Sequence, residues 1–257
     1  MNNHTRMITD YVTCWPEDDL KIEDCYWYHG YDFTRSVPQI EPDYYLEHDL
    51  HHFLLPEDMA GKSFLDIGTA SGFFSFEMEK RGAVDVVSFD LAPDEEPDQI
   101  PYHHLHDLRA HNTTHRQMLR RSYWYAHKQH QSKARAAYGT LHAMPNWLGA
   151  YDVTLIGSVL QHLRDPFLAI QEADKHTKHT LIISEAYCDS MDPVLLFQAQ
   201  PEESKPQFWT WWTFSSAFLV NAMKVLGYRD IEISKPFQLK NVRCGFDVES
   251  ITVRGTK

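Results

Sequence analysis

Positive charge is the first thing this chain has little of. Lys and Arg number 24 against 36 Asp and Glu, a formal net charge of −12 over 257 residues. Phosphate attraction dominates nucleic-acid affinity, so the balance excludes a nucleic-acid binder as the default reading. Cysteine is sparse as well. Cys14, Cys25, Cys188 and Cys244 form no CxxC pair and no zinc spacing. That excludes a zinc module and leaves free thiols suited to a reducing compartment. No stretch is apolar for long enough to span a membrane, and the start, MNNHTRMITDYV, lacks the apolar core of a signal peptide. A cytoplasmic location is expected. Internal repeats and low-complexity segments are also missing. What is present, 43% hydrophobic and 13% aromatic residues, belongs to an ordered chain large enough for one α/β domain with additions.

The most informative stretch runs from Phe64 to Leu91. Phe64-Leu65-Asp66-Ile67 reads as a buried strand. Gly68 and Gly72 follow at a turn, with Thr69-Ala70-Ser71 between them, small enough for close approach to a ligand. Phe73 to Arg81 has helical character and Gly82 is placed to end it. Val84 to Phe89 reads as a second strand, finishing on Asp90 and Leu91. A carboxylate at the tip of such a strand is placed to accept from both hydroxyls of a ribose. A dinucleotide-binding unit has the same outline. The spacing D-x-G-x-x-x-G argues against it, because Asp66 beside a pyrophosphate is unfavourable, whereas a cationic ligand welcomes an acid.

Residues 1–60 precede the first strand and are rich in aromatics, His and acids. The segment from Cys25 to Phe33 is too apolar for a solvated tail, and it serves either as a lid or as a plug at the core edge. From Leu108 to Tyr151 there is no acidic residue, while Arg109, Arg116, Arg120, Arg121, Lys128, Lys133 and Arg135 are basic. Thr114 is placed to cap a helix running to about Gln131. Its cations pair with the acidic remainder of the protein, hold an anionic substrate group, or, with Tyr123-Trp124-Tyr125, contact RNA. Arg135–Gly139, Tyr151–Ile156 and Thr180–Ser184 read as the third, fourth and fifth strands. Met191 to Phe208 is long enough for a substrate cover. Thr213 or Ser215 caps a last helix to Leu226, stopped by Gly227, and Tyr228–Ile233 with Phe246–Val253 suits a terminal hairpin.

The turn with Asp66, Gly68, Thr69, Ala70 and Gly72, followed by Asp90, resembles motif I and the acidic strand end of the class I S-adenosylmethionine-dependent methyltransferases. Val159-Leu160-Gln161-His162-Leu163-Arg164-Asp165-Pro166 is similar to the signature of one branch, as are Trp27-Tyr28-His29, the Gly61-Lys62 start and Trp211-Trp212. That branch includes tRNA wobble-uridine carboxymethyltransferase-like proteins and many small-molecule enzymes, and the likeness spans residues 25 to 235. The resemblance implies a Rossmann-like α/β fold with a seven-stranded, mostly parallel sheet and a C-terminal β-hairpin. Residues 1–60 then form an aromatic extension or lid, and residues 61–257 the cofactor domain. S-adenosyl-L-methionine is the implied cofactor, held by Asp66, Gly68, Thr69, Ala70, Gly72, Asp90, Leu91, Thr140, Leu141, Gly157 and Ser158, with Thr140 and Leu141 beside adenine. Gln161 departs from the tRNA enzymes, which carry Tyr there to help hold a carboxylated cofactor; carboxymethyl transfer to tRNA is therefore demoted.

Methyl transfer asks a protein to align nucleophile, methyl and sulfur and to exclude water; a base is needed only for a protonated acceptor. His162 after the fourth strand has a suitable ordinary pKa, though it also suits a hydrogen-bonded histidine at a helix start. Glu185 at the fifth strand end receives a proton, holds a substrate ammonium, or makes a surface salt bridge. Tyr187 follows it as a further catalytic candidate. Tyr28, His29, Gln161 and Trp211 are candidates for the substrate side. The rings of Tyr28, Tyr187 and Trp211 are π faces for a sulfonium or cationic substrate, unless they belong to the core. His103, His104, His106 and Asp107 are the one cluster with metal-ligand character, and no metal is expected. The expected activity is methylation of a small molecule in specialised metabolism. Alternatives are a cyclase that turns the cofactor's aminobutyrate chain into a cyclic amino acid and releases methylthioadenosine, a tRNA modifier, or a non-catalytic cofactor-binding subunit.

Overall fold

The computed structural model describes residues 10–15, 20–37, 40–102, 109–200 and 209–257, and for 109–112 the backbone alone. His103, His104, His106, Asp107 and residues 201–208 of the expected substrate cover lie outside the described residues. Five parallel strands form the centre: β1 (Ser63–Ile67), β2 (Asp85–Leu91), β3 (Arg135–Gly139), β4 (Tyr151–Gly157) and β5 (Thr177–Ala186), in the order β3-β2-β1-β4-β5. A separate ribbon pairs β6 (Leu195–Phe197) with β7 (Trp212–Phe214). The last three strands are β8 (Glu232–Ile233), β9 (Phe237–Asn241) and β10 (Phe246–Thr256). β10 lies antiparallel beside β5 and carries β8 and β9 on its far edge. The path of seven strands expected from the sequence therefore ends β5-β10-β8, with β9 as an eighth strand off it. The helices are α1 (Asp32–Arg35), α2 (Phe73–Lys80), α3 (Arg109–Gln129), α4 (Pro166–Lys175) and α5 (Ser216–Val225).

β1 is buried at every position because it pairs on both edges and is covered on both faces, as central parallel strands are. Its neighbours alternate between two cores. Phe64 packs with Phe74, Phe76, Tyr123 and Trp124 on one face, and Leu65 and Ile67 with Ile170, Leu219 and Met223 on the other. Strand order reverses between β1 and β4, which opens a crevice at their carboxyl ends where such sheets bind ligands. Helix ends follow their local signals. Asp165 accepts from Leu168 N–H with Pro166 in the first turn of α4, Ser215 accepts from Phe218 N–H at α5, and Gly227 takes φ +92° beyond it.

Two boundaries and one ribbon differ from the sequence reading. α3 begins at Arg109, not at Thr114, because nothing between 109 and 114 breaks a helix and Thr114 sits inside it. The hairpin partner of β10 is mainly β9, five residues long, while β8 has two. Phe237, Leu239 and Asn241 alternate inward with exposed Gln238 and Lys240, a period-2 pattern visible in FQLKN but passed over beside Pro236. The β6–β7 ribbon was not expected at all.

The residues before β1 pack onto the domain. Val12 exchanges backbone hydrogen bonds with Ala136 on the β3 edge, both at 2.8 Å. Trp27 is buried among Tyr31, Phe33 and Tyr125, a placement worth roughly 1.5–3 kcal/mol for a side chain of this kind. Among the described residues no helix is long and apolar enough to cross a membrane.

Candidate active site

The first turn is held from within. Thr69 Oγ1, Ser75 N–H and Ser75 Oγ all donate to Asp66 Oδ2, at 2.8, 3.1 and 2.7 Å. Ser75 Oγ lies 2.6 Å from Ser88 Oγ, which accepts from Tyr123 Oη at 3.0 Å. These side chains are all buried, so one polar chain crosses β1, α2, β2 and α3. Burial pushes the Asp66 carboxyl up to about 6, against the Ser75 and Thr69 hydrogen bonds that favour its charge. Oδ2 of Asp66 is spent on the turn itself, which makes this acid the anchor of the loop. The glycines serve the chain's own packing. A Cβ on Gly68 (φ +75°) would lie 2.0 Å from Val159 Cγ2, and one on Gly72 (φ +89°) 2.5 Å from the Phe76 ring. Ala70 also takes a left-handed φ, +49°, and its N–H donates to Asp90 Oδ2 at 3.0 Å.

Asp90, next to last in β2, is half-buried, and Leu91 N–H donates to its Oδ1 at 2.7 Å. Burial raises its pKa, while the backbone donors and the Arg120 and Arg116 guanidiniums pull it down. With one backbone donor on each oxygen, the carboxylate keeps lone pairs for two hydroxyls. The loops after β2, β3 and β4 meet at Asp98. Its Oδ2 accepts from Arg164 N–H at 2.8 Å and lies 2.9 Å from His142 Nε2, and its carbonyl accepts from Trp211 Nε1 at 3.2 Å. Thr140 Oγ1 accepts from His142 N–H at 3.3 Å, and Leu141 is buried.

Beyond β4, Gly157 leads into Ser158 at φ +54°, a conformation that costs a non-glycine residue roughly 1–2 kcal/mol. The next turn is pinned by Glu185, wholly buried at the end of β5. Glu185 Oε1 accepts from Val159 and Leu160 N–H at 2.8 and 2.7 Å, and Oε2 from Gln161 N–H at 3.4 Å. Burial pushes its carboxyl up to about 8 despite those donors. The surface salt bridge weighed for Glu185 is thus excluded by its burial. On the same turn His162 Nδ1 lies 2.7 Å from the Trp209 carbonyl. A carbonyl only accepts, so Nδ1 carries the proton and Nε2 holds the lone pair, 3.3 Å from the Gln161 amide nitrogen. Burial lowers the His162 pKa, against the hydrogen bond to the Trp209 carbonyl that raises it.

The N-terminal segment closes this side. His29 N–H donates to Ser71 Oγ at 3.0 Å, its Nδ1 lies 3.1 Å from the same oxygen, and Tyr31 Oη donates to the Ser71 carbonyl at 2.7 Å. Burial drops His29 to about 3, so it is a neutral clasp on the glycine turn. Tyr44 N–H donates to the Tyr28 carbonyl at 2.9 Å, and the two rings lie 5.2 Å apart. Asp43, buried, accepts from Arg243 Nε at 2.6 Å and from Tyr26 Oη at 2.8 Å, tying this segment to the turn between β9 and β10.

Some expected partners stay apart. Tyr187 donates to Asp189 on the exposed surface, and Arg164 covers a face of Trp211 at 5.1 Å. Among the described residues no ring contact joins Tyr28, Tyr187 and Trp211 into one cage. The aromatics of α3 turn inward, with Tyr123 and Trp124 buried, and Arg116 Nη1 donates to the Glu95 carbonyl at 2.6 Å. The sequence reading missed Ser75, Ser88, Asp98, Asp43 and Arg243. Only Asp98 carried a signal, as an acid in a polar loop just after the ribose-type carboxylate.

The sequence matches a family model described as a methyltransferase domain over residues 39–232, more than half of its length. The match does not reach to the wobble-uridine branch. Comparison with curated proteins gives no match. The fold is similar to that of the N-terminal domain of EvdMO1 with S-adenosylhomocysteine bound (TM-score 0.54, 14% identity, 87% of this chain and 94% of that one). It is also similar to a putative S-adenosylmethionine-dependent methyltransferase from Listeria monocytogenes (TM-score 0.53, 13% identity, 82% and 96% covered). The YcgJ protein of Bacillus subtilis is comparable (TM-score 0.53, 11% identity, 82% and 97% covered). The residues present suit the cofactor this family uses: a partly open carboxylate at Asp90 with free lone pairs, and a tight turn locked to it through Ala70. The chain belongs to this methyltransferase family, and S-adenosylmethionine is the cofactor that the carboxyl edge of its sheet is built to hold.

Proposed function

We propose that this methyltransferase acts on a small molecule of specialised metabolism, at an oxygen or nitrogen that arrives carrying a proton. The observation that carries the reading is His162, whose tautomer is fixed by the Trp209 carbonyl so that Nε2 offers a lone pair beside Gln161. Bound S-adenosylmethionine supplies an electrophilic methyl group. Asp90 would hold its ribose, and the turn from Gly68 to Gly72 would flank its amino-acid end. His162 Nε2 takes the acceptor's proton once the Gln161 amide yields its place, and the Nδ1–H bond to Trp209 steadies the resulting imidazolium. Glu185 fixes the turn that carries both residues. The segment around Tyr28 and His29 acts as a lid that keeps water out, and this enclosure favours a small acceptor over a polymer.

A tRNA substrate has less support, since Gln161 replaces the Tyr of those enzymes, Arg116 is engaged with the loop after β2, and Arg120 lies near Asp90. Cyclisation of the cofactor has less support as well, because Trp211 already faces the Arg164 guanidinium and the Tyr187 hydroxyl donates to Asp189. The test is incubation with S-adenosylmethionine and a panel of phenols, hydroxy acids, amines and bulk tRNA, reading products by chromatography. S-adenosylhomocysteine should form with one small acceptor, and His162→Ala should slow it by roughly 10²–10⁴-fold with unchanged S-adenosylhomocysteine affinity. Because burial lowers the His162 pKa, the rate should hold at neutral pH and fall only below the ordinary histidine range. Methylthioadenosine formed without acceptor, methylation of tRNA alone, or indifference to His162→Ala would overturn the reading. Tight cofactor binding with no product from the whole panel would indicate a non-catalytic subunit.

A further inference from the structure

The parallel sheet has a second edge, where β2 and β3 begin, and it is not closed. A cavity of about 530 Å³ opens there. Its walls are the last turn of α2 with Glu79 and Lys80, the approach to β2 with Val84 and Asp85, and the turn from α3 into β3 with His130 and Lys133. That volume falls within the roughly 300–1,000 Å³ of small-molecule sites. Asp85 begins β2 and Asp90 stands five residues on, a distance of roughly 17 Å at the usual strand rise. The cavity is therefore separate from the carboxyl edge that serves the cofactor.

Its charges do not cancel. The lining sets Lys80, Lys133 and Arg135 against Glu79 and Asp85, a surplus cation on a protein of net charge −12. Both acids are already engaged. Glu79 Oε2 accepts from Ser132 Oγ and its Oε1 from Lys133 N–H at 2.8 Å, while Asp85 Oδ1 accepts from Arg135 Nη2 at 2.7 Å. Lys80 lies 3.9 Å from Glu77, whose other oxygen is taken by Arg81 at 3.0 Å. Among the described residues no carboxylate pairs with the Lys133 ammonium. His130 adds an unmet polar atom. Its ring is wedged by Tyr31, Phe33 and Phe76, with centroids 5.2, 5.9 and 5.2 Å away, and its Nε2 is buried with no partner in the protein. Such orphaned atoms are uncommon in native interiors. Burial, and then the Lys80 ammonium, lower the His130 pKa, so that cation is within electrostatic reach of the ring. Ala83 and exposed Val84 put hydrocarbon beside these groups.

We propose that this amino-edge cavity is a second small-molecule site, for an organic monocarboxylate whose charge is taken by Lys80 and Lys133 and whose apolar body lies against Ala83 and Val84. A single surplus cation matches a monoanion better than a phosphate dianion, and the hydrocarbon wall offers inorganic phosphate nothing. His130 is the reporter. The full chain, labelled with nitrogen-15 histidine, is titrated with 2-naphthoate, with the neutral 2-naphthamide and with inorganic phosphate, and His130→Phe identifies the His130 resonances. 2-Naphthoate should shift those resonances saturably and bind about tenfold more tightly than either of the others. Lys80→Met combined with Lys133→Met changes two exposed side chains. It should weaken 2-naphthoate about tenfold, to the level of the amide, with the thermal melt unaltered, whereas Lys80→Arg with Lys133→Arg should retain it. Saturating S-adenosylhomocysteine should leave the 2-naphthoate shift in place. Absence of a saturable shift at His130, equal binding of the amide or of phosphate, full affinity in the methionine double variant, or displacement by S-adenosylhomocysteine would overturn the proposal.

Discussion

Glu185 offers the sharpest test of how the carboxyl edge is built, because anchor and proton carrier respond differently to its amide. Glu185→Ala removes the acceptor for two short bonds, from Val159 and Leu160 N–H, and one long one, from Gln161 N–H. A buried donor left unsatisfied costs about 1–3 kcal/mol; with the third bond weak and some water admitted, the total comes to about 3–5 kcal/mol. Glu185→Gln keeps an oxygen where the two short bonds end and disturbs only the long one, so it should cost about 1 kcal/mol or less. The pH dependence gives a second reading. The carboxyl is raised from its ordinary 4.5 to about 8, so between those values the native state holds a proton that the unfolded chain has lost. The stability this provides is complete below 4.5 and declines as pH rises through 8, by at most about 5 kcal/mol at 1.36 kcal/mol per unit. Urea denaturation from pH 5 to 9 on wild type, Glu185→Gln and Glu185→Ala measures both effects. The alkaline decline should disappear in Glu185→Gln. If Gln proves as damaging as Ala, or the decline persists in it unchanged, the anchoring role is wrong.

Asp90→Ala should lose the charge-assisted bonds to the ribose, each worth roughly 1.5–3 kcal/mol, as weaker S-adenosylhomocysteine binding by calorimetry; unaltered affinity would remove Asp90 from the site. Asp43→Ala and Arg243→Ala, alone and together, should show a coupling energy of roughly 0.5–3 kcal/mol in denaturant melts, since the pair is bonded at 2.6 Å with Asp43 buried. Strict additivity would mean that the two ends of the chain are merely adjacent.

The β1–α2–β2 unit was legible because its signals are local: a short apolar run, a glycine turn, a helix stop and a strand-end acid follow one another within the stretch from Phe64 to Leu91. The turn from Val159 to His162 was legible as a motif, though His162 became a base candidate only when its Trp209 partner, 47 residues on, fixed the tautomer. Glu185 was legible as a strand-end acid, but its surroundings were not, because the donors it meets are backbone groups that any residue would carry. Ser75 and Ser88 read as unremarkable small residues, and the bonds linking them to Asp66 and Tyr123 exist only once two strands and two helices are packed. The surroundings of Tyr187 were not legible either: it follows a buried strand, yet its hydroxyl donates to exposed Asp189.

The Asp43–Arg243 pair joins residues 200 positions apart, and β10, the last strand made, is the one that lies between β5 and the outer strands. A chain emerging from the ribosome can assemble β1 to β5 and clasp His29 and Tyr31 to the glycine turn well before Arg243 is there to meet Asp43. At about 5–20 residues per second, the stretch from the end of β5 to Arg243 leaves the Asp43 carboxylate without its guanidinium for some seconds. For the same reason, losing only the last dozen or so residues would harm this protein more than their number suggests, because it would take away the neighbour of β5 and the mooring of β9 together.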